Sequence, residues 1–82
     1  MYQIVRPMET TKDINRLKVV LAEKKRTNKW LAKQLGKDPA TVSKWCTNTT
    51  QPSLETLVLI AKALCIEPQE LLAKNPNITL NK

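Results

Sequence analysis

The chain has no histidine and no phenylalanine, a single glycine, Gly36, and three aromatic residues, Tyr2, Trp30 and Trp45. Without an imidazole, the usual proton carrier near neutral pH is missing, and neither Cys46 nor Cys65 has a plausible base to activate it. One glycine cannot build a glycine-rich phosphate loop, and no cluster of Cys, Asp and Glu has metal-ligand spacing. No pair of carboxylates is placed for acid–base work at a pocket. The expectation is therefore a protein without enzymatic activity, metal or cofactor. With so few aromatic rings, the core must be assembled from Leu, Ile, Val and Ala, which favours helices.

Long apolar runs are also absent. None approaches the roughly 18 to 20 residues of a membrane span, and Met1 to Pro7 lacks the basic-then-apolar layout of a signal peptide. A soluble, cytoplasmic protein that does not engage membranes is expected, with its two cysteines as reduced thiols rather than a bridge. At 82 residues there is room for one modest core and none for a separate sensor domain.

Acidic residues are scarce, and their scarcity is local. The net charge is +7, and Lys24 to Lys44 carries seven cations against the single acid Asp38, a net of +6. The stretches on either side nearly balance. Such concentration is the footprint of a surface for a polyanion, although a basic face kept for solubility has the same composition. An amphipathic binder of anionic membranes fits poorly, because the lysines fall on several helices rather than along one helix opposite an apolar stripe.

Helix signals arrive with their punctuation. Ile14, Leu17, Val20 and Leu21 recur at helical spacing behind Asp13, which predicts a first helix from about Asp13 to Lys25. Lys24, Lys25 and Arg26 then complete a helix end or steer an anion, and both roles are compatible. Thr27 is placed to cap a second helix, Asn28 to Leu35. Gly36 suits a stop through positive φ, and Asp38-Pro39 pairs a capping acid with a proline where no N–H is needed. The third helix should run from Pro39 to about Cys46, with Val42 and Trp45 inward. After a polar loop, Thr47 to Gln51, Ser53 caps a fourth helix, Leu54 to Leu64, apolar nearly all round and so expected to be central and covered. Glu67 to Glu70 should open a short fifth helix carrying Leu71 and Leu72, ended by Asn75-Pro76. The domain division is thus a tail 1–12, a helical domain 13–74 and a tail 75–82. Tyr2 to Val5 and Ile78 to Leu80 are β-prone, and disorder, mutual pairing and a place in a dimer interface all stay open for them.

The second and third helices form the informative unit. Two helices joined by so short a turn approach closely, so the inner residue of the first must be small. Ala32 is that residue, followed at intervals of four, six and three by Gly36, Val42 and Trp45.

Asn28 to Gly36 (NKWLAKQLG), Asp38 to Trp45 and the stretch Asn48 to Leu57 containing QPSLE resemble the Cro and phage-repressor (Xre-like) family of helix-turn-helix regulators. The likeness extends over about Ile14 to Leu72. It implies an all-α, five-helix, lambda-repressor-like domain that binds double-stranded DNA, with the third helix in the major groove. Carried onto this chain, it implies contacts from Lys37, Pro39, Ala40, Thr41, Ser43 and Lys44. Asn28 would anchor a phosphate, helped by Thr47, Asn48, Thr49 and Thr50. Lys44 is the candidate for guanine, Ala40 for a thymine methyl, and Thr41 and Ser43 for backbone. The resemblance further implies a transcriptional repressor acting as a homodimer, with half-sites one helical turn apart. The rival reading is the antitoxin half of a toxin–antitoxin pair, acting on a protein partner through Trp30 or the tails.

Several positions depart from the family pattern. Lys37 stands where an apolar residue is common and Cys46 where a glutamate is. Asn48 replaces a loop glycine, a mild change since Asn tolerates left-handed backbone, whereas Cys65 replaces a helix-ending glycine at a cost of ~1 kcal/mol. The third helix offers no Arg, Gln or Asn outward, so phosphates, DNA shape and dimerisation should carry much of the affinity. Trp30 is expected as a half-buried ring shielding the core edge, and Cys46 as an inert, partly buried thiol rather than a redox sensor.

Overall fold

Three of the helices start and stop where their capping residues dictate. The structure, a computed structural model, describes residues 13–74, and the tail segments considered above lie outside them. Among the described residues there are four α-helices, α1 (Leu17–Glu23), α2 (Asn28–Leu35), α3 (Pro39–Cys46) and α4 (Leu54–Leu64), followed by a 3₁₀ turn, Pro68–Leu71. Thr27 accepts the Trp30 N–H, Asp38 accepts the Ala40 N–H, and Ser53 accepts the Thr56 N–H. Gly36 closes α2 at φ 68°, in the left-handed region, and Cys65 closes α4 in the same region at φ 59°.

The first helix is shorter than its apolar spacing predicts, beginning at Leu17 rather than Asp13. Residues 14–16 are non-helical instead, because their backbone groups are taken by distant parts of the chain. Asn15 forms an antiparallel bridge with Leu72, the Arg16 N–H donates to the Leu71 carbonyl at 2.9 Å, and the Ala73 N–H donates to the Ile14 carbonyl at 2.8 Å. The oxygen that receives the first free helical donor, Leu17 N–H, comes from Asn15. Lys24 caps the helix and Lys25 turns left-handed at φ 58°, so the basic triplet forms a turn after the helix rather than its last turn.

The same bridge explains why the expected fifth helix is only a 3₁₀ turn. Pro68 and the reciprocal Glu67–Glu70 capping box start it, and Leu71 anchors it with no exposed surface. Burying a leucine that completely is worth about 1.5 to 3 kcal/mol. Leu72 then swings into extended backbone to meet Asn15, which ends the turn.

The core is one cluster between the helices: Leu17, Val20 and Leu21 from α1, Leu31 and Ala32 from α2, Val42, Trp45 and Cys46 from α3, and Leu57, Ile60, Ala61 and Leu64 from α4, with Leu71. Helix α4 is not covered all round, contrary to its composition. Leu54 is 77% exposed and Leu59 53%, and Val58 is also exposed. A domain this small has too few neighbouring elements to cover every side of an apolar helix.

Candidate nucleic-acid interface

The α2–turn–α3 unit places the predicted site residues by two constraints. Ala32, 1% exposed, lets α2 and α3 approach, and Val42 and Trp45, both buried, fix the inner face of α3. The helical period then puts Ala40, Ser43 and Lys44 on the outer face, where all three are exposed, as is Pro39. Thr41 is half-buried at the edge of that face. Lys37, in the connection before α3, is exposed too. Asp38 sits among them as the N-cap, its carboxylate engaged by the Ala40 N–H at 3.2 Å.

Thr47, Thr49 and Thr50 are exposed at the C-terminal end of α3. The Thr47 hydroxyl lies 3.2 Å from the Lys44 carbonyl and 2.7 Å from the Thr49 hydroxyl, so the two threonines form one polar edge. Backbone bonds from Thr49 N–H and Thr50 N–H to the Lys44 carbonyl, at 2.9 and 3.3 Å, fold this segment back on the helix.

Asn48, grouped with these threonines in the sequence, faces the other way. It adopts the left-handed backbone expected of it, φ 59°, but its side chain is buried. Its Oδ1 accepts the N–H groups of Ile14 and Asn15 at 3.0 and 2.9 Å, and its Nδ2 donates to the Asn15 carbonyl at 3.0 Å. Gln51 adds a bond to the same Oδ1 at 3.0 Å. Asn15 reciprocates, its Nδ2 donating to the Trp45 carbonyl at 3.0 Å and to Gln51 Oε1 at 2.7 Å. This network moors the end of α3 and the loop after it to the entry of the fold. Asn48 therefore holds the loop's shape, while its side-chain amide is engaged inward. Asn15 and Gln51 were not singled out from sequence, and a partner 33 residues away leaves no local signal.

Asn28, the first residue of α2, is half-buried and within reach of α3. The Cys46 thiol donates to its Oδ1 at 3.3 Å. Burial pushes the Cys46 thiol above its ordinary range, with nearby Lys18 pulling weakly the other way. The cysteine is thus a protonated donor, in keeping with an inert thiol rather than a reactive one.

The cations of the basic stretch, Lys24, Lys25, Arg26, Lys29, Lys33, Lys37 and Lys44, are all exposed. The ion pair among the described residues, Arg16 with Glu23 at 3.7 Å, lies outside that stretch. Trp30 is a half-buried ring packed on the core edge, and Arg26 lies over it, 4.5 Å from the ring centroid. Among the described residues no helix is long and apolar enough to cross a membrane. These exposed cations lie in the turn after α1, on α2, before α3 and on α3, and their summed field would draw an anion toward the helix-turn-helix.

Comparison with known proteins agrees with this geometry. A family model described as the Cro/C1-type HTH DNA-binding domain matches residues 16–77. Among solved structures, a crystal structure of a candidate DNA-binding protein from Bacteroides fragilis is similar. It is 55% identical with a TM-score of 0.72, over 73% of this chain and 97% of that one. No curated protein matches the chain.

Proposed function

The chain belongs to the Cro/C1-type helix-turn-helix DNA-binding family, and on that premise we propose that it is a sequence-specific transcriptional repressor that occupies an operator as a two-fold homodimer. The observation that carries the reading is the division of α3 into an inner face of Val42 and Trp45 and an exposed outer face of Ala40, Ser43 and Lys44, within a stretch of chain whose cations are all exposed. In this reading α3 enters the major groove. Lys44 reads guanine and Ala40 meets a thymine methyl, while Thr41 and Ser43 touch backbone. Pro39 and Lys37 flank the groove, and Asn28, Thr47, Thr49 and Thr50 hold phosphates.

The domain that does this spans residues 13–74, with 1–12 and 75–82 as tails, and it works in the cytoplasm, where its DNA is. Two-fold assembly is supported by the apolar side chains Leu54, Leu59 and Leu72, which remain exposed within one copy. Exposed leucines on a small domain are suited to burial against a second copy.

Fluorescence anisotropy with a selected duplex and its scrambled counterpart tests the proposal. Lys44→Ala should lose discrimination at one base step, by about 1 to 3 kcal/mol. Asn28→Ala should weaken every duplex alike and leave the salt dependence unchanged, because a neutral amide displaces no counterion. Equal affinity of the wild type for all sequences at physiological salt would refute sequence-specific regulation.

A further inference from the structure

A side-chain amide at the start of a helix is ambiguous toward an anion. Its NH₂ end attracts a phosphate and its carbonyl end repels one, and the two ends exchange by a simple rotation. Asn28 occupies that position at the first residue of α2, and it is half-buried, so its orientation is subject to its neighbours. The neighbour on its oxygen is Cys46, the last residue of α3, whose thiol donates to Oδ1 at 3.3 Å. With the carbonyl end occupied, Nδ2 and its two N–H bonds are the end left to meet an anion.

We propose that Cys46 is a positioning residue for DNA binding, its S–H fixing the Asn28 amide so that the NH₂ faces a phosphate. The inference rests on the reading of Asn28 as a phosphate anchor. It gives a role to a residue that no direct contact with DNA requires, since Cys46 is only 9% exposed. It also joins the first residue of α2 to the residue preceding Thr47, so that the two phosphate-facing ends of the helix-turn-helix are held in one register. The thiol is kept in its donating form by burial, and a thiolate in its place would attract the NH₂ end instead and turn the amide over.

The test uses the full chain in four forms: Cys46→Ser, Cys46→Ala, Asn28→Ala and the Cys46→Ala/Asn28→Ala double variant. Cys46→Ala should weaken duplex binding roughly fivefold, about the worth of one neutral hydrogen bond, and equally for all sequences. Cys46→Ser, which retains a donor, should bind as the wild type does. In the Asn28→Ala background the alanine at 46 should have no further effect, whereas a purely structural role would weaken both backgrounds alike and overturn the proposal. In the DNA-free protein, the side-chain NH₂ resonances of Asn28 should shift in Cys46→Ala and stay in place in Cys46→Ser. Unmoved resonances in Cys46→Ala overturn the positioning itself. Wild-type DNA binding by Asn28→Ala overturns instead the phosphate-anchor reading on which it rests.

Discussion

Replacing Asn48 by alanine removes two polar ends at once, and the structure says which groups are left behind. Oδ1 serves the N–H groups of Ile14 and Asn15 and the Gln51 amide, and Nδ2 serves the Asn15 carbonyl. Gln51 is exposed and Ile14 partly so, and both can turn to water. Asn15 is 5% exposed, and its N–H and carbonyl cannot. Two orphaned buried groups at about 1 to 3 kcal/mol each, plus about 1 kcal/mol for holding alanine in left-handed backbone, give a loss of about 3 to 7 kcal/mol. That is a large fraction of the roughly 5 to 15 kcal/mol a domain has. Urea unfolding followed by the fluorescence of Trp30 and Trp45 would measure it. Asn48→Gly removes the same bonds without the backbone penalty, so it should be about 1 kcal/mol more stable than Asn48→Ala. Asn48→Asp keeps the acceptor but sets a buried carboxylate oxygen against the Asn15 carbonyl, so it too should be less stable than wild type. An alanine variant within about 1 kcal/mol of wild type would show that water replaces the amide, and the reasoning about this network would be wrong.

The two helix-ending residues make an opposed pair. Cys65→Gly should stabilise by about 0.5 to 1 kcal/mol, because an exposed side chain at φ 59° is strained and does no packing. Gly36→Ala should destabilise by about 1 kcal/mol through backbone alone, since an added Cβ meets nothing within 4 Å; thermal melts of both variants give the comparison. The thiols should also separate under a colorimetric thiol reagent, Cys65 reacting promptly and Cys46 only as fast as the fold opens. Because burial raises the Cys46 thiol, the unfolded chain gives up that proton first. Its contribution to stability is whole below the unfolded thiol's pKa and is lost as pH climbs through the folded one. The alkaline fall in stability should be shallower in Cys46→Ala, and an unchanged slope would count against the buried thiol.

What could be read from the sequence was whatever is decided within a few residues. Thr27, Asp38, Ser53 and Gly36 each act on a neighbour two to four positions away, and the bounds of α2, α3 and α4 agree with them. The outer face of α3 followed from Val42 and Trp45 being three apart on a period of 3.6. Long-range partners were invisible. Asp13 has the character of a cap, but Asn48 and Leu72 claim the backbone it would have started, and nothing near Asp13 announces them. Asn48 looked like another loop amide beside three threonines, and only the left-handed turn that it also makes sends its side chain inward. Helix α4 misled for a different reason: composition reports the wish to be buried, not the number of neighbours available to do it.

The clasp between Asn15 and Asn48, with the bridge from Asn15 to Leu72, joins three points spread over nearly the whole described chain. Closing so wide a circuit costs entropy that short-range helix contacts do not. The loop after α3 is held in its shape by that circuit. A half-formed chain, or an excised α2–α3 hairpin, would carry the right letters on its surface without the hand that holds the page still.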